Sequence, residues 1–200
     1  MAYKNKLFAI LRENGMFTGT EVGCEDVAAT VDYNEGLMSP AEHRMPDAGR
    51  RMCHLYHGDD IAPKIREFML DPVLRAPLWE LVYHGCLQSY WYWGDSANCM
   101  PDLMPLRDVF CVLYGLPELY SFSVSAWETL KDLIAASYHR TVPFAASVGM
   151  ASLDSFEYVG GDPRIQRTTF SNGRSAVANF TGADIEYGGR VVKAGTAETF

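Results

Sequence analysis

Between residues 77 and 98 the chain reads PLWELVYHGCLQSYWYWGDSAN, and it gathers aromatic rings and polar groups in one place. Tyr90, Trp91, Tyr92 and Trp93 stand together, with Asp95, Ser96 and Asn98 directly after them. Pyranose rings offer apolar C–H faces that stack on aromatic rings, and hydroxyls that need carboxylate, amide or imidazole partners. Glu80 and His84 lie just upstream. Alternation of Leu78, Glu80, Val82 and His84 with Trp79, Leu81 and Tyr83 predicts a strand here, which would carry both polar groups on one face. Glu80, His84, Trp91, Trp93 and Asp95 are therefore the candidate sugar-binding residues. The competing reading is a buried strand followed by aromatics that close a core, with His84 a hydrogen-bonded core histidine.

Chemistry at such a site would also need carboxyl groups that can give, take or share a proton. The sequence places Glu21 at the end of a short strand over residues 16–22, followed by an acidic loop up to Pro40. Loops after the C-terminal ends of strands are where βα folds put their sites, so Glu21 is the candidate catalytic carboxylate. Glu25, Asp26, Asp32 and Glu35 in that loop are its rivals.

Elements that could position these groups can be read on both sides. Residues 3–13 carry Leu7, Ile10 and Leu11 on one helical stripe, and Asn14-Gly15 ends it. A helix, a stop and a strand form the second half of a βα unit. A strand over 52–56, a helix over 61–70, a helix over 103–114 ended by Gly115, and a strand over 118–124 continue the alternation. A helix follows from Ser125 as N-cap, with Glu128 completing a capping box, to about His139. Such an order predicts parallel (β/α) architecture. From about residue 150 the pattern changes to short strands over 154–159, 165–170, 175–180 and 189–193. Ser171-Asn172-Gly173 reads as a hairpin turn between two of them. The expected organisation is a barrel-type portion over 1–150 and an antiparallel sheet or half-sandwich over 151–200.

Bulk properties narrow the function. The 200 residues are 48% hydrophobic with a formal net charge of −8, enough for a sizeable core and opposed to nucleic-acid binding. No run of some 18 apolar residues marks a membrane span, and the N-terminus lacks the long apolar region of a secretion signal. Five cysteines without a CxxC pair argue against a disulfide framework or a zinc knuckle. Cys53, His54 and His57 cluster without a second ligand group, so no metal is expected.

Three stretches carry a family resemblance. RAPLWELVYHGCLQSYWYWGDSAN and LRDVFCVLYGLPELYSF resemble glycoside hydrolases related to the endo-α-N-acetylgalactosaminidases, families 101 and 129. RIQRTTFSNGRSAVANF is similar to the β-domain that follows the catalytic barrel in such enzymes. The resemblance runs from about residue 18 to 192. It implies a (β/α)8 TIM-type barrel cleaving α-linked N-acetylgalactosamine or a related α-glycoside in an oligosaccharide or glycoconjugate, with retention and no cofactor. By the resemblance, Glu21 in TGTEVG is the acid/base, and the aspartate nucleophile would lie before Met1. A complete barrel takes roughly 250 residues. The chain then reads as the C-terminal half of the barrel plus the β unit, missing its N-terminal half and inactive alone. The alternatives are a non-catalytic carbohydrate-binding α/β protein and an α/β fold of another class with a non-sugar substrate.

Overall fold

A computed structural model describes residues 2–20, 25–35, 66–67, 70–92, 101–120 and 124–200. The fold is mixed α/β. Helix α1 (Ala2–Glu13) leads to strands β1 (Gly19–Thr20) and β2 (Tyr33–Glu35), then helix α2 (Leu78–Tyr83) and strand β3 (Gln88–Tyr92). Helix α3 (Met104–Tyr114), strand β4 (Glu118–Leu119) and the long helix α4 (Val124–Val148) follow. Strands β1 to β4 lie side by side in sequence order, and each neighbouring pair is parallel.

The C-terminal strands are β5 (Leu153–Tyr158), β6 (Ile165–Phe170), β7 (Ser175–Asn179), β8 (Ile185–Tyr187), β9 (Arg190–Val192) and β10 (Thr196–Thr199). Four of them form an antiparallel sheet in the order β10-β7-β6-β5, and β8 pairs with β9 as a separate hairpin. The Ser171-Asn172-Gly173 turn joins β6 to β7, with Gly173 at φ 83°, a conformation that a residue without Cβ adopts at little cost. Strands β8 and β10 have no counterpart in the sequence reading; each is short, and neither alternates clearly.

Helix α3 lies between the two sheets, and all its residues from Arg107 to Tyr114 are buried. On one side Phe110 meets Trp91 of β3 edge-on, with ring centroids 6.3 Å apart. On the other, Ala178 of β7 joins the same cluster, and Phe180 sits 4.5 Å from the Phe110 ring. A second cluster binds Val112 to Phe144 and Val148 of α4 and to Leu153, Phe170 and Ala176 of the antiparallel sheet. The parts before and after residue 150 thus share their cores.

Several expectations are corrected. Residues 78–83 form a helix, not a strand: Glu80 and His84 are buried together, Trp79 stacks on Tyr83 at 4.3 Å, and Leu78 and Val82 are exposed. These are i, i+4 spacings, the signature of a helical face. The β-branched and aromatic composition was overridden by packing of that face. Helix α4 runs past His139 and through Pro143 to Val148. Burial of Phe144, Ala145 and Val148 offsets an internal proline that costs about 3 kcal/mol. Its start at Val124 also puts Ser125 inside the helix rather than at the cap. Leu130 and Ile134 of this helix are buried, whereas Trp127 is 41% exposed. On α1, Leu7 and Ile10 are exposed, and Phe8 packs on Val27, Ala28 and Val31 instead. The strand expected over 52–56 lies outside the described residues, as does the helix over 61–70 apart from the helical pair at 66–67 and residue 70.

Gly115 ends α3 at φ 67°, and its N–H returns to the carbonyls of Cys111 and Val112. A Cβ there would stand 2.7 Å from Val148 Cγ2 and 2.8 Å from Phe170 Cζ. Gly115→Ala therefore combines a left-handed backbone penalty with overpacking, and we expect a loss of roughly 2–4 kcal/mol in urea denaturation.

Candidate active site

Alternation along the parallel strands divides their side chains between two unlike faces. Asn34, Ser89 and Trp91 are buried, whereas Tyr33 is exposed and Glu35, Gln88 and Tyr90 are partly so. The helices account for the buried face. Trp79 of α2 donates its indole N–H to Ser89 Oγ at 3.0 Å, and Ser89 donates to Asn34 Oδ1 at 2.7 Å. Trp91 lies beneath Phe110 of α3 and under the Arg75 guanidinium, 4.3 Å from its ring.

On the other, open face the described side chains are exposed or partly exposed. Gly19 is the register partner of Tyr33, and a Cβ on Gly19 would lie 2.3 Å from Tyr33 Cζ. The missing side chain lets the Tyr33 ring lie across β1. Tyr90 meets Tyr33 edge-on at 6.1 Å, and Glu35 is the register partner of Tyr90. Because the strands are parallel, Glu35 and Tyr90 sit toward the C-terminal ends of their strands, the end that carries sites in βα folds.

Of the sequence-expected site residues, the structure describes three, and all three are on or behind the covered face. His84 is 5% exposed; its Nδ1 lies 2.6 Å from the Ala151 carbonyl oxygen and its Nε2 3.3 Å from that of Gly115. Desolvation lowers its pKa below the usual imidazole value, against the two carbonyls that raise it. It also meets Phe170 at 5.0 Å, so it joins α2 to the antiparallel sheet. Trp91 is 1% exposed and packs as described above. Glu80 is wholly buried near Arg75, and burial pushes its pKa up to about 7 despite that cation. Glu80 and His84 do share a face, but a helical one. Glu21, Trp93 and Asp95 lie outside the described residues.

Among the rival carboxylates, Asp32 is at the N-terminal end of β2, where it accepts from the Thr18 N–H at 2.8 Å and pairs with Arg12 at 3.4 Å. Glu25 and Asp26 are exposed in the turn over 25–30. Glu35 alone of these sits on the open face near a strand's C-terminal end. Tyr33, Glu35, Gln88 and Tyr90 were missed as a group because their proximity depends on strand register. The signal that could have found them is the shared alternation of YNE and QSYWY.

Buried ions cluster on the covered side as well. Arg107 donates to Glu118, Arg140 donates to Asp108, and Ser137 Oγ donates to Asp108 Oδ1 at 2.6 Å while lying 3.2 Å from Glu118 Oε2. Burial, with the neighbouring Glu118 carboxylate, raises the Asp108 pKa to about 8. Arg107 and Glu118 are buried on both sides, and removing one of them would strand a buried charge at a cost of roughly 3–5 kcal/mol.

Comparison with family models places residues 1–169 in the group described as glycosyl hydrolases related to the GH101 family, GH129. The chain belongs to that family. Solved structures of the α-N-acetylgalactosaminidase NagBb from Bifidobacterium bifidum share its fold. The GalNAc complex gives a TM-score of 0.55 at 22% identity, covering 96% of this chain and 26% of the other. The ligand-free form gives 0.53 at 22% identity, with coverages of 96% and 25%. This GH129 chain thus spans about a quarter of the length of those proteins. The curated proteins give no match. Among the described residues no helix is long and apolar enough to cross a membrane.

The ionisable groups predict a pH dependence of stability. Glu80 and Asp108 have folded pKa values raised above their unfolded ones, so their stabilisation is full at low pH and lost as pH rises to about 7 and about 8 respectively. His84 has the opposite sign and destabilises the fold as pH falls below its usual value of 6.5. Above that value it no longer offsets the carboxyls. The melting temperature should therefore fall between about pH 6.5 and 8, and Glu80→Gln and Asp108→Asn should each flatten part of that slope in calorimetry.

Proposed function

We propose that this GH129 chain is the C-terminal portion of a (β/α)8 barrel, residues 1–150, with a following β unit over 151–200. The intact enzyme would be a retaining glycosidase acting on α-linked N-acetylgalactosamine or a related α-glycoside. What carries the reading is the family match together with a four-stranded parallel sheet that, among the described residues, has helices packed on one face. A barrel is a parallel sheet with helices outside and its site at the strands' C-terminal ends. The remaining strands, and the aspartate nucleophile, would come from polypeptide outside this chain. NagBb, named for α-N-acetylgalactosaminidase activity, is about four times as long, consistent with such a division.

Glu21 follows Thr20, the last residue of β1, and is the proposed acid/base. It would protonate the glycosidic oxygen and then take a proton from water, about 5–5.5 Å from the nucleophilic carboxylate. Trp93 and Asp95, following β3, are proposed to contact the sugar. Glu80, His84 and Trp91, first considered as sugar ligands, act here as positioning residues that hold α2, β3 and the antiparallel sheet together.

The alternative, a non-catalytic carbohydrate-binding protein, is favoured by one observation: the open face already displays two tyrosines and a carboxylate. It predicts binding without turnover in any context. The glycosidase reading predicts that the 200-residue chain alone does not turn over, whereas a longer polypeptide completing the barrel hydrolyses aryl α-N-acetylgalactosaminides. In that polypeptide Glu21→Gln should lower kcat by about 10²–10⁴ on substrates with poor leaving groups. The first-formed sugar should be the α anomer by NMR. Unchanged turnover would remove Glu21 from the mechanism.

A further inference from the structure

We infer that Tyr33, Glu35 and Tyr90 form a sugar-holding floor, with a pyranose ring laid on the tyrosines and its hydroxyls bonded to Glu35. This rests on the glycosidase reading and names residues for the substrate pocket of that same site. Tyr33 and Tyr90 belong to adjacent strands, face the same side and contact each other at 6.1 Å with an interplanar angle of 85°. Tyr33 is 41% exposed although it lies across Gly19 of the neighbouring strand. Its ring is supported from beneath while part of its surface remains accessible to an apolar C–H face. Glu35 stands in register with Tyr90, so its carboxylate is within one residue's reach of the rings. Gln88, the register partner of Tyr33, adds an amide to the same face.

The rival reading makes these residues the filling of a closed barrel. Barrel interiors are filled mainly by bulky branched aliphatic side chains. Over β2 and β3 the open face instead presents Tyr33, Glu35, Gln88 and Tyr90, all with polar tips, of which Gln88 donates to the Ser89 carbonyl at 3.1 Å, and β4 adds Leu119 in register with Tyr92. The covered face of the same strands shows what packing looks like here: Asn34 and Ser89 bond each other, and Trp91 is enclosed by Phe110 and Arg75. Aromatic surface, a carboxylate and an amide, with Leu119 at the β4 edge as the aliphatic neighbour, suit a polyhydroxylated ring.

The test is saturation-transfer NMR on the 200-residue chain with N-acetylgalactosamine as the probe. Binding is expected, with the sugar ring protons receiving most of the transfer. Tyr90→Ala and Glu35→Gln should each weaken it by about tenfold. Gly19→Ala, which touches no sugar, should weaken it as well by driving the Tyr33 ring aside, while Glu186→Gln on exposed β8 should not. Circular dichroism and melting identify any variant that fails to fold, and Tyr90→Leu, which removes the ring but keeps its bulk, is the milder substitute for Tyr90→Ala. If the wild type binds and the folded floor variants bind equally well, the floor is overturned while the glycosidase reading stands. If the folded wild type binds no sugar, the floor is also overturned, and the Glu21→Gln turnover measurement decides the glycosidase reading separately.

Discussion

The structure depends on a helix sealed from both sides. Packing of α3 between a parallel and an antiparallel sheet leaves it no solvent face, so each polar group it carries must find a partner inside the protein. Arg107 and Asp108 meet that demand through Glu118 of β4 and Arg140 and Ser137 of α4. The helix end is closed by Gly115, whose carbonyl faces His84 and whose missing Cβ admits Val148 and Phe170. Polar pairing and close packing together fix the distance between the sheets. The antiparallel strands are then the outer wall of a shared core: α3 would be half exposed without them.

That constraint also decides which face of the parallel sheet can meet a ligand. Once α2 and α3 lie on one side, residues of one parity along β2 and β3 are committed to packing. Their neighbours of opposite parity point the other way, where the chain shows exposed or partly exposed side chains. The division runs through the middle of the aromatic stretch. Tyr90 is on the open face, and Trp91, its immediate neighbour, is enclosed beneath Arg75 and Phe110.

The same fact explains what could be read from the sequence. Where a single local signal decided the outcome, the reading held: β6 has the expected limits, α3 ends at its glycine, and the SNG turn closes a hairpin. Mixed α/β architecture with a parallel sheet followed by antiparallel strands was legible from element order. The stretch LWELVYH carried two periodicities at once. Its composition favoured a strand, while the stacking of Trp79 on Tyr83 and the burial of Glu80 and His84 needed a helix. Taken as a strand, it displaced β3 by about ten residues, which turned YWY from strand into loop. A loop would have let all the rings converge; a strand separates them. The open face also required register between β1, β2 and β3, which no single segment encodes.

Perturbed ionisation could have drawn the site to the wrong side of the sheet. Glu80, His84 and Asp108 all depart from their ordinary pKa values, and such departures often accompany catalysis. Here desolvation is the first cause in each, and the partners are other protein groups: Arg75 for Glu80, carbonyls for His84, Glu118 and Ser137 for Asp108. Groups enclosed in the core in this way are out of a substrate's reach. Glu35 is instead a partly exposed carboxylate beside Tyr33 and Tyr90, on the face that the described helices do not cover. In this fold the shifted pKa values mark groups that support the core, and access to solvent marks the face on which a ligand could be met.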